Sequence, residues 1–232
     1  MMKRFWKDVS VEPAEGAFCV TLDGRAVRTP GRNPQLAPTQ ALADALAQEW
    51  RAQGDTLDPQ LFPLRNLADF AIDNVASARD QTVDGLLRYA ETDTLCYRAD
   101  PDDPLYRRQR DLWEPLLTAF EARHGVRMER VSGIMHRPQP AETLARLRDV
   151  LAAKDDFTLA AVHTLAPLAA SLAIALEAVE PGADAAHLFT AANCEQDWQA
   201  ELWGWDLEAE RDRARKLAAF EAAAKFAELA RP

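Results

Sequence analysis

The sequence has little that could hold a metal, cradle a phosphate or staple a chain. Its 232 residues contain three cysteines, Cys19, Cys96 and Cys194, odd in number and widely separated. No CxxC pair or Cys/His cluster occurs, so neither a zinc site nor a disulfide framework is expected, and a reducing compartment fits best. The nine glycines never fall as GxGxxG or GxxxxGK[ST], the loops whose backbone N–H groups bind phosphate. The GxSxG and HExxH patterns are missing as well. Positive charge is also short: 27 Lys/Arg against 37 Asp/Glu give a formal net charge of −10. Nucleic-acid binding draws on cations that neutralise phosphates, so a nucleic-acid partner is excluded, and a basic membrane-surface patch with it. The opening residues, MMKRFWKDVS, carry no apolar h-region, so no secretory signal is expected. The apolar run FTLAAVHTLAPLAASLAIALEAV at 157–179 is long enough to tempt a membrane reading. It holds His163, Pro167 and Glu177 and is rich in alanine, which fits a central soluble helix and no membrane insertion.

What is present is enough apolar material, 48% of residues, to build a core. The first 62 residues carry seven Lys/Arg against eight Asp/Glu, and the remainder 20 against 29, so the acidity lies in the later part. The early part has strand character. Phe5, Val9 and Val11 precede Pro13 and Gly16, and FCVTLDGRAVRT places Asp23-Gly24 between short alternating runs, a hairpin signal. Thr39 is placed to cap a helix on which Leu42, Leu46 and Trp50 recur. DPQLFP at 58–63 reads as a junction. Beyond it, Leu64, Leu67, Ala68, Ala71, Ile72 and Val75 keep helical spacing, as do Val83, Leu86, Leu87 and Ala90, then Leu105, Gln109, Leu112, Leu116 and Phe120. VRMERVSG reads as an isolated strand near 126–132. Further helices are expected near 140–153, 156–178, 184–203 and 207–230. The class is α+β: a β-rich domain at 1–62 with one covering helix, followed by a larger all-helical domain at 63–232.

Few residues invite chemistry. Glu121 and His124 form one ExxH, whereas a carboxylate-bridged diiron bundle needs two such pairs and two more glutamates. A helix-end histidine favoured by the helix dipole explains it better. His163 reads as a hydrogen-bonded core histidine, and His136 and His187 show no nucleophile beside them. Arg107, Arg108 and Arg110 read as a solvated helix face. The unusual segment is CEQDWQAELWGWD at 194–206, where Trp198, Trp203 and Trp205 crowd together. Continued at about 100° per residue, Leu188, Ala191, Ala192, Glu195, Trp198, Gln199, Leu202 and Trp203 share one face. Glu195 then sits inside an apolar stripe, where burying a lone carboxylate costs several kcal/mol. Two readings stand side by side: ordinary packing with a structural partner for Glu195, or a partner-binding surface with aromatic anchors and an incompletely paired charge.

RFWKDVSV, VTLDGRAVRTP, LAQEWRAQ at 46–53, FPLRNLADFAID at 62–73, YAETDTLCYRA at 89–99, GIMHRPQP at 133–140 and EQDWQAELWG follow one another along the chain. In that order they resemble the assembly chaperones for the alpha subunit of the F-type ATP synthase catalytic head. The resemblance covers nearly the whole chain. It implies a non-enzymatic protein with a β-rich N-terminal and a helical C-terminal domain, which binds the unassembled alpha subunit, keeps it from aggregating and yields it to the beta subunit. It also implies a functional glutamate four positions before a glutamine, then Trp-Gly, which Glu195, Gln199, Trp203 and Gly204 match. The partner-binding residues expected are Glu195, Trp198, Gln199, Trp203 and Asp206, with no catalytic, cofactor-binding or metal-binding residue and no cofactor. A monomer in a bacterial cytoplasm is expected, with the mitochondrial matrix the compartment of eukaryotic relatives. The rival is an enzyme that pairs Glu195 with Asp197 or His187 as acid and base in a helical pocket.

Overall fold

Two tight turns set the N-terminal sheet. Strands β1 (Val9–Ala14) and β2 (Ala17–Leu22) meet through Glu15-Gly16, and β2 meets β3 (Arg25–Ala26) through Asp23-Gly24. The four turn residues have φ of 52°, 79°, 48° and 76°, the left-handed backbone of a type I′ turn, whose twist matches that of the strands. A short strand β4 (Leu36–Ala37) also pairs with β2, so β3 and β4 divide one edge of β2 while β1 takes the other. These observations come from a computed structural model, which describes residues 3–133 and 137–232. Within GIMHRPQP, Ile134, Met135 and His136 therefore lie outside the described residues.

Helix α1 (Gln40–Arg51) starts where Thr39 Oγ1 accepts the Leu42 N–H at 3.1 Å, and it packs on β1 and β2 with Leu42, Leu46 and Trp50 buried. Three carboxylates then tie the next helix, α2 (Pro63–Phe70, continued by a wider turn at Ala71–Val75), to this layer. Glu49 accepts the N–H groups of Leu64 and Arg65 at 2.7 and 2.9 Å, satisfying donors that open α2. Asp69 accepts from Gln35 Nε2 at 2.5 Å, and burial pushes its carboxyl above the usual range. Asp73 accepts from Thr29 Oγ1, the Gly31 N–H and Asn33 Nδ2, bonds that hold its carboxyl below the usual range, that of Thr29 foremost. A Cβ on Gly31 would lie 2.7 Å from the Asp73 carboxylate, so a larger residue there would push that carboxylate off its hydrogen bonds. Trp6, Trp50 and Phe62 pack edge to face, with the Arg65 guanidinium 4.9 Å from the Trp50 ring.

The chain divides into two compact units. The first takes residues up to Arg79 together with Asp156–Ala161 and Ala222–Pro232. In it Phe226 is fully buried and stacks on Phe157 at 5.8 Å, and Thr39 Oγ1 donates to the Leu229 carbonyl. The second takes Asp80–Asp155 and Val162–Glu221. In chain order the remaining elements are α3 (Arg79–Glu91), β5 (Tyr97–Arg98), α4 (Pro104–His124), β6 (Val131–Ser132) and α5 (Ala141–Ala152). Then come α6 (Asp156–Ala169), α7 (Leu172–Ala178), α8 (Ala185–Ala192), α9 (Cys194–Trp203) and α10 (Leu207–Ala230). A small sheet region followed by helices is the α+β class that the sequence indicates.

Several local expectations change. VRMERVSG is not an isolated strand: only Val131–Ser132 pairs, in parallel with Tyr97–Arg98. Side chains satisfy the residues before it, since Met128 N–H donates to Glu121 Oε1 and Glu129 N–H to Gln139 Oε1. His124 stands in the last turn of α4 but is buried, and burial lowers its pKa, which works against the charge that the helix dipole favours. His163 is exposed on α6 and is no core residue. No helix among the described residues is long and apolar enough to cross a membrane.

The helix expected at 156–178 breaks in two. Pro167 removes one backbone donor near the end of α6. Ala170 then adopts φ 46°, and the Ser171 and Ala170 N–H groups reach back to Ala166 and Pro167. That is a Schellman C-cap with alanine where glycine is usual. Thr94 supports it, its N–H and Oγ1 both donating to the Ala170 carbonyl at 3.1 and 2.9 Å. Asp93, fully buried, opens α7 by accepting the Ala173 N–H at 2.9 Å and the Leu95 N–H at 3.1 Å, with Ser171 and Leu172 as further donors. Burial pushes the Asp93 carboxyl up to about 6, against those bonds.

Two outcomes follow from this architecture. The isolated 1–62 fragment loses Phe226, Phe157 and the whole of α2, so a thermal scan followed by circular dichroism should show no cooperative transition; a sharp one would contradict this. For Asp93 the folded pKa of about 6 exceeds the ordinary 3.8, so its contribution to stability is complete below about 3.8 and is lost as pH rises through about 6. Denaturant titrations should show the wild-type stability, relative to Asp93→Asn, falling by roughly 2 kcal/mol between about pH 4 and pH 7. A flat difference would contradict it.

Candidate partner surface

The stripe drawn through Leu188 to Trp203 assumes one helix, and the chain makes two. Asn193 (φ −97°, ψ 18°) leaves the helical path, its N–H and Nδ2 both donating to the Phe189 carbonyl. After that break the faces no longer align. Leu188, Ala191 and Cys194 are buried, whereas Glu195, Gln199, Leu202 and Trp203 are exposed. Glu195 is therefore not a core carboxylate; it sits at the first turn of α9, where a negative charge meets the helix N-terminus.

Among the described residues one hydrogen bond from a side chain holds it. Gln109, fully buried in α4, donates Nε2–H to Glu195 Oε1 at 2.6 Å, and Gln109 Oε1 accepts the Ala99 N–H at 2.8 Å. The Ala99 N–H requires an acceptor, which fixes the amide with its NH2 toward Glu195. The donor is neutral. Desolvation raises the Glu195 pKa, and the Gln109 bond draws it back down. Among the described residues no cation pairs with Glu195.

The neighbouring acids differ. Asp197 forms a two-pronged pair with Arg213 at 2.7 and 2.6 Å, and Glu201 forms one with Arg108 at 2.5 and 2.7 Å. The Arg108 guanidinium lies 5.6 Å from the Trp198 ring, and Arg213 lies 5.4 Å from Phe189 and 5.8 Å from Trp205. These fork-shaped pairs, each backed by an aromatic ring, brace α9 against α4 and α10. Arg108 is thus not the solvated charge its sequence context indicates. Asp206 caps α10, accepting the Glu208 and Ala209 N–H groups at 2.9 Å each. Between α9 and α10, Gly204 takes φ 87° and ψ 161°, a conformation closed to side-chain-bearing residues, so the Trp-Gly step is a backbone requirement.

This turn exposes large apolar side chains. Trp203 is 79% exposed, Leu207 71% and Leu202 57%. Beside them runs a cleft of about 310 Å³ lined by Gln196, Gln199, Trp203, Trp205, Asp212 and Lys216. Of the residues singled out from the sequence, Glu195, Gln199 and Trp203 are exposed on α9, Trp198 is half-buried under Arg108, and Asp206 is a helix cap. Reading the sequence alone missed Gln109, Arg108 and Arg213 as the groups that set this geometry. Gln109 carried a signal, being the polar residue in the apolar spacing of α4; the arginines carried none, because their partners are distant in sequence. For the rival acid–base pair, Asp197 is already committed to Arg213. Among the described residues no group of three or more metal-ligating side chains gathers.

Three comparisons bear on the chain. The family described as ATP12 chaperone protein matches residues 3–121. Atp12 from Paracoccus denitrificans is 37% identical with a TM-score of 0.93, covering 99% of this chain and 98% of that one; a mutant of the same protein matches equally. The Atu1473 protein from Agrobacterium tumefaciens is 38% identical with a TM-score of 0.92, covering 97% of this chain and 85% of that one. The mitochondrial protein atp12 of Schizosaccharomyces pombe is 25% identical over 214 residues, 87% of this chain and 74% of that protein. The family match ends within α4, while the matches to solved structures extend over almost the whole chain.

Proposed function

The chain belongs to the ATP12 chaperone family, and on that premise we propose that it holds the unassembled alpha subunit of the F-type ATP synthase head and yields it to the beta subunit. The family is one of chaperones, not enzymes. A subunit awaiting its neighbours exposes surfaces made for burial, and large exposed apolar patches aggregate. A holder needs a complementary face that binds well enough to shield and weakly enough to be displaced by mass action. It works without a cofactor, as a monomer, in the compartment where the head assembles: the bacterial cytoplasm, or the mitochondrial matrix for eukaryotic relatives.

The observation that carries this reading is the state of Glu195. Its neighbours Asp197 and Glu201 each have an arginine, whereas Glu195 is exposed, meets only the neutral Gln109 amide among the described residues and stands on the helix that exposes Trp203. A carboxylate left in this condition is ready for a cation supplied from outside. Trp198, Gln199 and Asp206 frame the same face, the last by fixing the start of α10.

Glu195→Gln tests the assignment, because it keeps an acceptor for Gln109 and removes the charge. The free variant should melt within about 2 °C of wild type, since losing the charge of an exposed group changes stability by less than about 0.5 kcal/mol. Light scattering of the purified alpha subunit should then show weaker protection, by about tenfold in the concentration required, the scale of a lost charge-assisted contact. A variant that melts many degrees lower would make Glu195 structural, and one that protects as well as wild type would remove it from the mechanism.

A further inference from the structure

Single exposed apolar side chains are ordinary on a protein surface, but clusters of large ones mark contact sites. Leu202, Trp203 and Leu207 project around the Gly204 turn with more than half of each exposed, and Trp205, 43% exposed, flanks them. The backbone under them is fixed: Gly204 sets the turn, Asp206 caps α10, and the Asp197–Arg213 pair holds α9 to α10. A ridge built on rigid helix ends loses little conformational freedom when it docks.

The charge around the ridge identifies what it fits. Arg108 and Arg213 are committed to Glu201 and Asp197, and Arg215 and Lys216 both pair with Asp212. Among the described residues Glu195, Asp206, Glu208 and Glu210 have no cation, four acids against the exposed Arg211 and the one positive charge that Asp212 leaves unmatched. The rim is therefore acidic. A second copy would bring the same acids face to face across a two-fold axis, which disfavours self-association through this ridge.

We propose that Leu202, Trp203 and Leu207 form an apolar anchor that inserts into an apolar socket rimmed by Lys or Arg side chains on the client subunit. The proposal rests on the reading of the chain as an alpha-subunit holder and adds the chemistry of the docking surface. Trp203 supplies the insertion, Leu202 and Leu207 close its flanks against water, and Glu208 and Glu210 steer approach.

The test uses the full chain and the purified alpha subunit, with binding followed by surface plasmon resonance at two salt concentrations. Trp203→Ser combined with Leu207→Ser should weaken binding by about 30-fold, the effect of losing a central hot spot, with an unchanged melting temperature. Trp203→Phe should restore most of the loss. Glu208→Lys with Glu210→Lys should slow association several-fold and flatten its salt dependence. If wild type binds and the serine variant binds equally well, the anchor is overturned while the holder reading stands. If wild type fails to bind the alpha subunit, both fall. If wild type forms dimers that the serine variant dissolves, the ridge is a homodimer contact and the proposal is overturned.

Discussion

Every helix begins with backbone N–H groups that have no partner inside the helix, and this chain answers that requirement largely with carboxylates. Glu49 opens α2, Asp103 opens α4, Asp184 opens α8 and Asp206 opens α10. Asp93 is the extreme case, a carboxylate with no exposure that gathers three donors at the start of α7, Ser171, Leu172 and Ala173, and the Leu95 N–H beside itself. The excess of acid that composition shows is thus in part structural. Its cost is visible as well, since burial raises the pKa of Asp93, Asp69 and Glu49 against the bonds they accept.

The same distribution of charge shapes the surface around α9. Asp197 and Glu201 take the arginines that reach this helix, and the stacked rings of Trp198, Phe189 and Trp205 hold those arginines in place. Among the described residues Glu195 is left with an amide, and Trp203 is 79% exposed. The cations that brace α9 against α4 and α10 are thereby not free to neutralise its outer face.

Local signals were legible from the sequence. Asp23-Gly24 announced a hairpin, Thr39 announced α1, and apolar spacing located α2, α3 and α4, because each depends on residues a few positions apart. The breaks were not legible. Ala170 and Asn193 are compatible with a continuing helix, and what stops the chain there is Thr94 and Asp93, added to the donor lost at Pro167, in one case and the Asn193 side chain on the Phe189 carbonyl in the other. The Asn193 break reverses the reading of Glu195, from a carboxylate inside an apolar stripe to an exposed one. The spacing argument placed Glu195 in the wrong environment. Arg108, whose partner Glu201 is 93 positions away, could not have been paired by inspection of the sequence.

The account's central claim is that the outer face of α9 and the start of α10 is where a client subunit docks. Hydrogen–deuterium exchange of the full chain, alone and saturated with purified alpha subunit, measures this most directly. The account predicts slowed exchange concentrated in peptides spanning 194–210, with the β1–β2 hairpin unchanged. Unaltered exchange in 194–210, with protection elsewhere in a stable complex, would contradict it.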